Sequence, residues 1–266
     1  MILHTKSETG TRYVVDSFTI EHKKAIVTGG SRGLGKGVVE AFLAAGAEVV
    51  IIAQSAKTAD IAAVYAAEGF PCHGVSADLG DRDDRNRGFG EALAHLGGDL
   101  DILVNAAGIQ RRHKSEEFPI DDWDAVLEIN LTATFELCQM AAQVMLPKGY
   151  GKIINFASLL SFFGGFTIPA YAASKGGITQ LTKAFSNEWA SRGLNINAIA
   201  PGYMQTEMNT ALLANPVRYA EITARIPANR WGTPEDMAGI AVFLASKGSD
   251  YINGVTIPVD GGYTGR

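Results

Sequence analysis

Short apolar runs alternate with amphipathic stretches along most of the chain, after a polar opening of about 23 residues. The β-rich apolar runs fall at 23–29, 47–53, 72–77, 100–108, 151–158, 195–202 and 254–260. Helical patterns fall at 33–46, about 60–69, 121–146, from Tyr171 to about Arg192 and from Pro234 to about Ser246. Val/Ile-rich strands without polar alternation are typical of a parallel sheet covered on both faces. We therefore predict an α/β protein with one doubly wound parallel sheet.

No Pro/Gly/Ser-rich linker, repeat or low-complexity tract divides the chain. We predict a single domain over 23–266, preceded by an N-terminal extension over 1–22. The segment at about 203–233 interrupts the alternation just after a strand, at the end of the sheet where ligands bind. We interpret this segment as a helical substrate lid, and a helical insertion without function is the alternative.

Composition and charge exclude several classes of protein. The chain has 266 residues, 47% of them apolar and 19% charged, and a net charge of −5, which disfavours nucleic acid and acidic membrane surfaces as partners. No apolar run approaches the roughly 18 residues of a membrane span, and the opening lacks the apolar core of a signal peptide. Two cysteines, Cys72 and Cys138, and five scattered histidines form no disulfide framework or metal motif. We expect a cytoplasmic protein without a metal.

The stretch TGGSRGLG (28–35) joins the first predicted strand to the first helix. Its glycines at 29, 33 and 35 allow a tight turn and let the backbone approach a pyrophosphate at the helix N-terminus. A glycine-rich turn alone is a weak signal, but its position between strand and helix favours phosphate binding.

The end of the second strand usually indicates which dinucleotide is bound. An acid there would bind the ribose 2′-hydroxyl of NAD, and a base would bind the 2′-phosphate of NADP. Here Ala53 and Gln54 occupy these positions, so neither rule applies. Arg32 and Lys57 could approach a 2′-phosphate or could be solvated surface charges.

Tyr171 and Lys175 stand four positions apart in YAASK and share one helical face. We expect the ammonium to stabilise the phenolate and so lower the pKa of the phenol, which is ordinarily near 10. The spacing alone is common and could be accidental. Ser158 strengthens the interpretation, because at the end of a strand it can point its hydroxyl at a ligand. Asn130 does so too, because a polar residue in an apolar helical stretch needs partners and could hold a water that links Lys175 to solvent.

These residues together resemble the short-chain dehydrogenase/reductase family. The motifs TGGSRGLG, NAAG (105–108), YAASK (171–175) and PG (201–202) occur in the family's order, together with Asp78, Asn130 and Ser158. Ala106 stands where the family more often has a second Asn. The resemblance implies a Rossmann-like fold and a nicotinamide cofactor.

The resemblance also implies roles for individual residues. Tyr171 would act as general acid or base, Lys175 would bind the nicotinamide ribose, Ser158 would hydrogen-bond the substrate oxygen, and Asn130 would hold a relay water. Asp78 would approach the adenine, and Asn105 would lie along the cofactor. The implied cofactor-binding set is Gly29, Ser31, Arg32, Gly33, Leu34, Gly35, Gln54, Asp78, Leu79, Asn105, Ala106, Gly108, Tyr171, Lys175, Pro201, Gly202 and Thr206.

Peripheral stretches such as INFASLLSFFGG (154–165) and RIPANRWGTPEDM (225–237) resemble the family's sugar-acid branch. This implies a sugar-acid substrate, NAD with NADP not excluded, and a homotetramer. A carboxylate needs a cation, and Arg111, Arg112, Arg225 and Arg230 are candidates, although each could pair with a surface acid instead. We select Arg112, with Ser158 and Tyr171, as the substrate-binding set. Reduction of a 3-oxoacyl thioester and a dinucleotide sensor without activity are the alternative functions.

Overall fold

A computed structural model describes residues 17–266, so the first 16 residues of the predicted extension lie outside it. Seven parallel strands form one sheet in the order β3-β2-β1-β4-β5-β6-β7. They are β1 (Lys24–Thr28), β2 (Glu48–Ala53), β3 (Cys72–Ser76), β4 (Ile102–Asn105), β5 (Gly151–Phe156), β6 (Leu194–Pro201) and β7 (Thr256–Val259). The predicted fold class is confirmed. The division at residue 23 stays a prediction.

Helices connect these strands and cover both faces of the sheet. They are α1 (Gly33–Ala44), α2 (Thr58–Ala67), α3 (Arg82–His95), α4 (Ile120–Leu127), α5 (Ala133–Lys148), α6 (Pro169–Trp189), α7 (Thr210–Leu213), α8 (Pro216–Arg225) and α9 (Ala238–Ala245). Alternate residues of β2 show the two layers: Ile51 packs with Phe42 of α1 and Leu244 of α9. Ile52 points to the opposite face, in the cluster that contains Phe89 of α3 and Met145 of α5.

The strand order reverses next to β1. β1 pairs with β2 on one side and with β4 on the other, so the chain winds outward in both directions from this point. In open α/β sheets the crevice at the carboxyl ends of such strands is where ligands bind. The turn after β1 and the loop after β4 therefore face each other across this crevice.

The hydrophobic pattern did not reveal α3. Its sequence, RDDRNRGFGEALAH, is rich in charge, and its buried face consists of Arg85, Gly88, Phe89 and Ala92. Asp81 starts the helix by accepting the N–H of Asp84 at 2.8 Å, a standard N-cap. A buried arginine takes one position of the inward stripe, so counting apolar residues misses the helix.

Two further predicted segments differ in detail. The helix predicted over 121–146 is interrupted by a π-helical turn at Glu128–Thr132, which contains the buried Asn130. Such single turns are common at functional sites. The segment 203–233 carries α7 and α8, and its Ile222 and Trp231 pack with Leu159, the neighbour of Ser158. Its role as a lid stays a prediction.

Candidate active site

The carboxyl ends of β4 and β5, the π-helical turn and α6 bring the four predicted catalytic residues together. A Cβ added to Gly108, just beyond β4, would lie 3.2 Å from Asn130 Oδ1 and 3.8 Å from Lys175 Nζ. Ser158 lies just beyond β5 and is near enough to the Tyr171 phenol to lower the pKa of that phenol. The structure thus places the four candidates near one another, and their catalytic roles stay a prediction.

Ser158 begins a short 3-10 turn and faces the phenol. Its Oγ accepts the N–H of Leu160 at 3.2 Å, which orients the side chain as an N-cap. Burial raises the pKa of the Tyr171 phenol, and the nearby Ser158 side chain lowers it in part. The phenol is therefore protonated at neutral pH, which is the form that a general acid needs.

The ammonium of Lys175 is held by the strand rather than by the phenol. Its Nζ donates to the carbonyl of Phe156 at 2.6 Å and lies 5.7 Å from the centroid of the Tyr171 ring. Burial lowers the pKa of Lys175 to about 8. The structure does not reproduce the expected lowering of the phenol pKa by Lys175, because desolvation of the phenol dominates and the ammonium faces a carbonyl.

Asn130 is buried, and both ends of its side-chain amide form hydrogen bonds. Its Oδ1 accepts the N–H of Ile109 at 2.8 Å, and its Nδ2 donates to the Ile109 carbonyl at 3.0 Å and to Ser174 Oγ at 3.1 Å. Ser174 in turn donates to the Tyr171 carbonyl at 2.8 Å. Asn130 thus fixes the start of the loop after β4 and links it to the helix of the phenol.

The glycine turn fits a dinucleotide phosphate. Gly29 has φ of 67°, and a Cβ there would lie 2.8 Å from the Cα of Ala107; a Cβ on Gly35 would collide with the Gly29 carbonyl. Within the described part of the chain, no side chain caps the first N–H groups of α1, and no acid lies in the first turn of this helix. These free N–H groups and the helix dipole suit an anion.

Other members of the predicted cofactor set surround this turn. A Cβ on Gly33 would lie 3.8 Å from Thr206, and Arg32 forms an ion pair with Glu207 at 2.9 Å. Gln54, after β2, donates to Asp78, after β3, at 2.9 Å. A polar contact therefore joins the ends of β2 and β3 at this edge of the sheet.

The remaining members lie at the sheet edge or inside it. Leu79 is buried, and Ser31 and Leu34 belong to the glycine turn. Ala106 and Gly108 follow β4, Pro201 ends β6 beside β7, and Gly202 comes directly after β6. Asn105 differs, because its Nδ2 donates inward to Asn155 Oδ1 at 3.0 Å and Cys138 Sγ at 3.3 Å. Its buried Oδ1 has no partner among the described residues. The side chain of Asn105 thus braces β4 against β5 and α5.

Three of the four candidate arginines are already engaged. Arg111 Nε lies 3.3 Å from Asp122 Oδ1, and the guanidinium of Arg230 donates to both carboxylate oxygens of Asp236 at 2.7 Å. Arg225 lies 4.8 Å above the Tyr263 ring. Arg112 is exposed and forms no ion pair within residues 17–266.

Arg112 also lies in a loop fixed at both ends to the site. Ile109 is bonded to Asn130, and the N–H of His113 donates to the carbonyl of Thr167 at 3.0 Å, four residues before Tyr171. Arg112 is therefore available to bind a substrate carboxylate at the edge of the crevice.

Sequence reasoning missed three groups that shape the site. They are the Phe156 carbonyl that holds Lys175, Ser174 beside Asn130, and Ser161, whose Oγ donates to the Lys175 carbonyl at 2.6 Å. A backbone carbonyl leaves no trace in a motif. Ser161 lies within INFASLLSFFGG and Ser174 within YAASK, but nothing in their spacing distinguished them from surface serines.

Comparison with known proteins agrees with this geometry. A family model described as Enoyl-(Acyl carrier protein) reductase matches residues 29–264, which include the glycine turn and all four catalytic candidates. The chain belongs to the short-chain dehydrogenase/reductase family. As a member, it is an NAD(P)-dependent oxidoreductase of CH–OH groups.

Its similarity to individual members extends over almost the whole chain. The 2-dehydro-3-deoxy-D-gluconate 5-dehydrogenase of Bacillus subtilis (strain 168) is 42% identical over 254 residues, which are 96% of this chain and 99% of that protein. The enzyme of the same name from Escherichia coli (strain K12) is 45% identical over 254 residues, or 95% and 100%. The crystal structure of a gluconate 5-dehydrogenase from Burkholderia cenocepacia J2315 in complex with NADP and tartrate has 39% identity, covers 94% of this chain and 98% of that one, and gives a TM-score of 0.91.

Among residues 17–266, no helix is long and apolar enough to cross a membrane. The same residues contain no cluster of three or more His, Cys, Asp or Glu side chains that could hold a metal ion.

Proposed function

We propose that the protein interconverts a hydroxy and a keto sugar acid, as a 2-dehydro-3-deoxy-D-gluconate 5-dehydrogenase or a gluconate 5-dehydrogenase does. The proposed reaction rests on one observation: four side chains lie together at the crevice beside the glycine turn, namely those of Ser158, Tyr171, Lys175 and Asn130. The names of the relatives support the substrate class.

The chain's own residues would handle the substrate oxygen and its proton. A bound nicotinamide supplies or accepts the hydride. In reduction, the Tyr171 phenol donates its proton to the carbonyl oxygen, and in oxidation the phenolate takes the hydroxyl proton. The Ser158 hydroxyl donates to the same oxygen and stabilises its developing charge.

Two residues prepare these groups. Asn130 holds the start of the loop after β4 and, through Ser174, the helix turn of Tyr171. Lys175 places a cation 5.7 Å from the phenol ring while it is protonated, that is, below its pKa of about 8. Because this ammonium faces the Phe156 carbonyl and does not lower the pKa of the phenol, we assign it to binding the nicotinamide ribose.

NAD is our first choice of cofactor, and NADP is the alternative. The free N–H groups at the start of α1 suit the phosphates that both share. Gln54 and Asp78 bond each other at the edge where the two cofactors differ. The relative from Burkholderia cenocepacia J2315 has NADP bound.

A spectrophotometric panel tests the proposal. The purified protein is assayed with NADH and with NADPH against a 5-keto derivative of 3-deoxy-2-ketogluconate, 5-ketogluconate and a 3-oxoacyl thioester. We expect oxidation of the reduced cofactor with one of the two sugar acids. Rapid reduction of the thioester with neither sugar acid reacting would replace the proposed function, and binding of cofactor without any turnover would favour the sensor.

We also propose a homotetramer in the cytoplasm. A groove between α5 and α6, lined by Leu131, Phe135, Gly177 and Leu181, offers apolar surface to a second copy, with Phe135 39% exposed. Both cysteines are free, as suits a reducing compartment. Light scattering on the native protein and on Phe135→Glu tests the assembly, which we expect the added charge to weaken.

A further inference from the structure

The hydroxyl of Ser161 joins the two segments that carry the catalytic candidates. Its Oγ donates to the backbone carbonyl of Lys175 at 2.6 Å and accepts the backbone N–H of Ser158 at 3.3 Å. A hydroxyl has one proton and two lone pairs. The hydroxyl proton of Ser161 is donated to α6, and a lone pair of the same oxygen accepts the N–H of Ser158. The Ser161 side chain therefore fixes the distance between the loop after β5 and α6.

This arrangement also orients the Ser158 hydroxyl. Ser158 Oγ accepts the N–H of Leu160, while Ser161 Oγ accepts the N–H of Ser158, so the turn Leu159–Ser161 is closed by a reciprocal capping box. The bond from Leu160 leaves the Ser158 proton free to be donated to an oxygen in the crevice. Ser161 holds the backbone from which that hydroxyl projects.

A second bond between the same segments is of a different kind. Lys175 Nζ donates to the carbonyl of Phe156, two residues before Ser158. This bond involves a flexible side chain and is lost whenever the ammonium takes another partner. The Ser161 bond ends on the backbone of Lys175 and persists whatever the ammonium does.

We propose that Ser161 is a positioning residue for the reaction: it holds Ser158 where the serine hydroxyl and the Tyr171 phenol act on the same substrate oxygen. The inference rests on the proposed function, because it needs a hydroxy or keto substrate, and it deepens that function by naming what fixes the serine–tyrosine geometry.

Ser246 provides a matched control. Its Oγ makes the same two kinds of bond, donating to the Phe243 carbonyl at 2.8 Å and accepting the N–H of Gly248 at 3.2 Å. It lies at the end of α9, outside the catalytic set. Ser161→Ala and Ser246→Ala each remove one donated and one accepted hydrogen bond, and only the bonds of Ser161 join two segments of the catalytic set.

The experiment measures kcat, KM, the pH profile of alcohol oxidation and thermal unfolding for wild type, Ser161→Ala, Ser161→Thr and Ser246→Ala. We expect Ser161→Ala to lower kcat about tenfold or more and to move the profile to higher pH, because a looser Ser158 lowers the pKa of the phenol less. Ser161→Thr keeps the hydroxyl and should recover most of the rate. Ser246→Ala should lower the unfolding temperature to a similar extent with a wild-type profile.

The inference is overturned if Ser161→Ala keeps the wild-type kcat and pH profile, or if Ser161→Thr is as slow as Ser161→Ala. Failure of the proposed function looks different. In that case wild type reacts with the thioester and not with the sugar acids, and the same four proteins are compared with the thioester as substrate.

Discussion

Lys175 Nζ lies 2.6 Å from the carbonyl of Phe156, so the buried ammonium of α6 is held by the end of β5. Burial lowers the pKa of Lys175 to about 8 from an ordinary value of 10.5. In the unfolded chain the lysine keeps its proton up to the higher value. Between pH 8 and 10.5 the unfolded state therefore binds a proton that the folded state has released, so this group makes the free energy of unfolding rise with pH in that window.

We predict that Lys175→Met removes this pH dependence. The free energy of unfolding of wild type minus that of the variant should increase by about 3 kcal/mol between pH 8 and 10.5 and stay flat below pH 8. Urea unfolding at several pH values measures it, with the surface substitution Lys57→Met as the control for loss of a lysine. A constant difference across the whole range would show that Lys175 is not perturbed by burial.

Tyr171→Phe removes the proton donor and keeps the ring. General acid–base groups contribute about 10²–10⁴-fold to rates, so we expect turnover to fall by at least about 10². Binding of NADH should change little, because the phosphates bind at the glycine turn. Cofactor fluorescence measures the binding. The control is Tyr65→Phe, whose hydroxyl contacts Glu40 at 3.1 Å outside the site; wild-type turnover in Tyr171→Phe would refute the mechanism.

The free phenol should remain protonated throughout the neutral range. Burial raises the pKa of Tyr171 above its ordinary value of 10.0, and only the Ser158 side chain opposes this. We expect the difference in ultraviolet absorbance between wild type and Tyr171→Phe, without cofactor, to show no phenolate between pH 6 and 9. A phenolate signal that appears in this range and is absent from Tyr171→Phe would contradict the arrangement in which Lys175 faces Phe156.

A buried cation connects α3 to the helix that carries Asn130. Arg85 is 0% exposed; its Nη1 lies 3.0 Å from Glu128 and its Nη2 lies 2.6 Å from Glu136. Replacing it with methionine breaks a buried ion pair and leaves Glu136, which is 17% exposed, with the exposed Arg82 as its remaining partner. Breaking a buried pair costs about 3–5 kcal/mol. We therefore expect Arg85→Met to lower the free energy of unfolding by that amount, as urea titration can measure.

Arg82 is the matched control for this prediction. It pairs with the same Glu136 at 2.7 Å, but its side chain is 66% exposed, and exposed pairs contribute about 0–1 kcal/mol. Arg82→Met should therefore be nearly neutral, and Arg85→Met combined with Glu136→Leu should recover part of the loss. An equal decrease in the free energy of unfolding for Arg85→Met and Arg82→Met would mean that the burial of Arg85 does not determine its contribution to stability.

The limits of sequence reasoning are visible in particular residues. Continuous Val/Ile-rich runs indicate a parallel sheet, so the fold class was predictable. The spacing of Tyr171 and Lys175 alone was a weak signal, and the family resemblance is what grouped them with Ser158 as a candidate site. α3 was not predictable, because a buried arginine satisfied by two distant glutamates replaces an apolar residue. The bond of Lys175 to Phe156 was not predictable either, since it depends on which backbone carbonyl the fold brings near.

Arg112 should bind the carboxylate of the substrate. It is exposed at the rim, in a loop fixed at Ile109 and His113, and has no ion pair among residues 17–266. A charge-assisted bond of this kind contributes about 1.5–3 kcal/mol, so we expect Arg112→Gln to raise KM for the sugar acid about tenfold or more. Because the carboxylate takes no part in the reaction, the bond is equally strong in the ground and transition states, and kcat should change little.

Arg230→Gln is the control, because both oxygens of Asp236 already engage the Arg230 guanidinium at 2.7 Å. Steady-state kinetics with the best sugar acid of the panel give KM and kcat for wild type and the two variants. An unchanged KM in Arg112→Gln, with a raised KM in Arg230→Gln, would mean that the segment 203–233 binds the substrate carboxylate. The comparison therefore decides which side of the crevice recognises the acid, since the two arginines lie on separate segments and the substrate has one carboxylate.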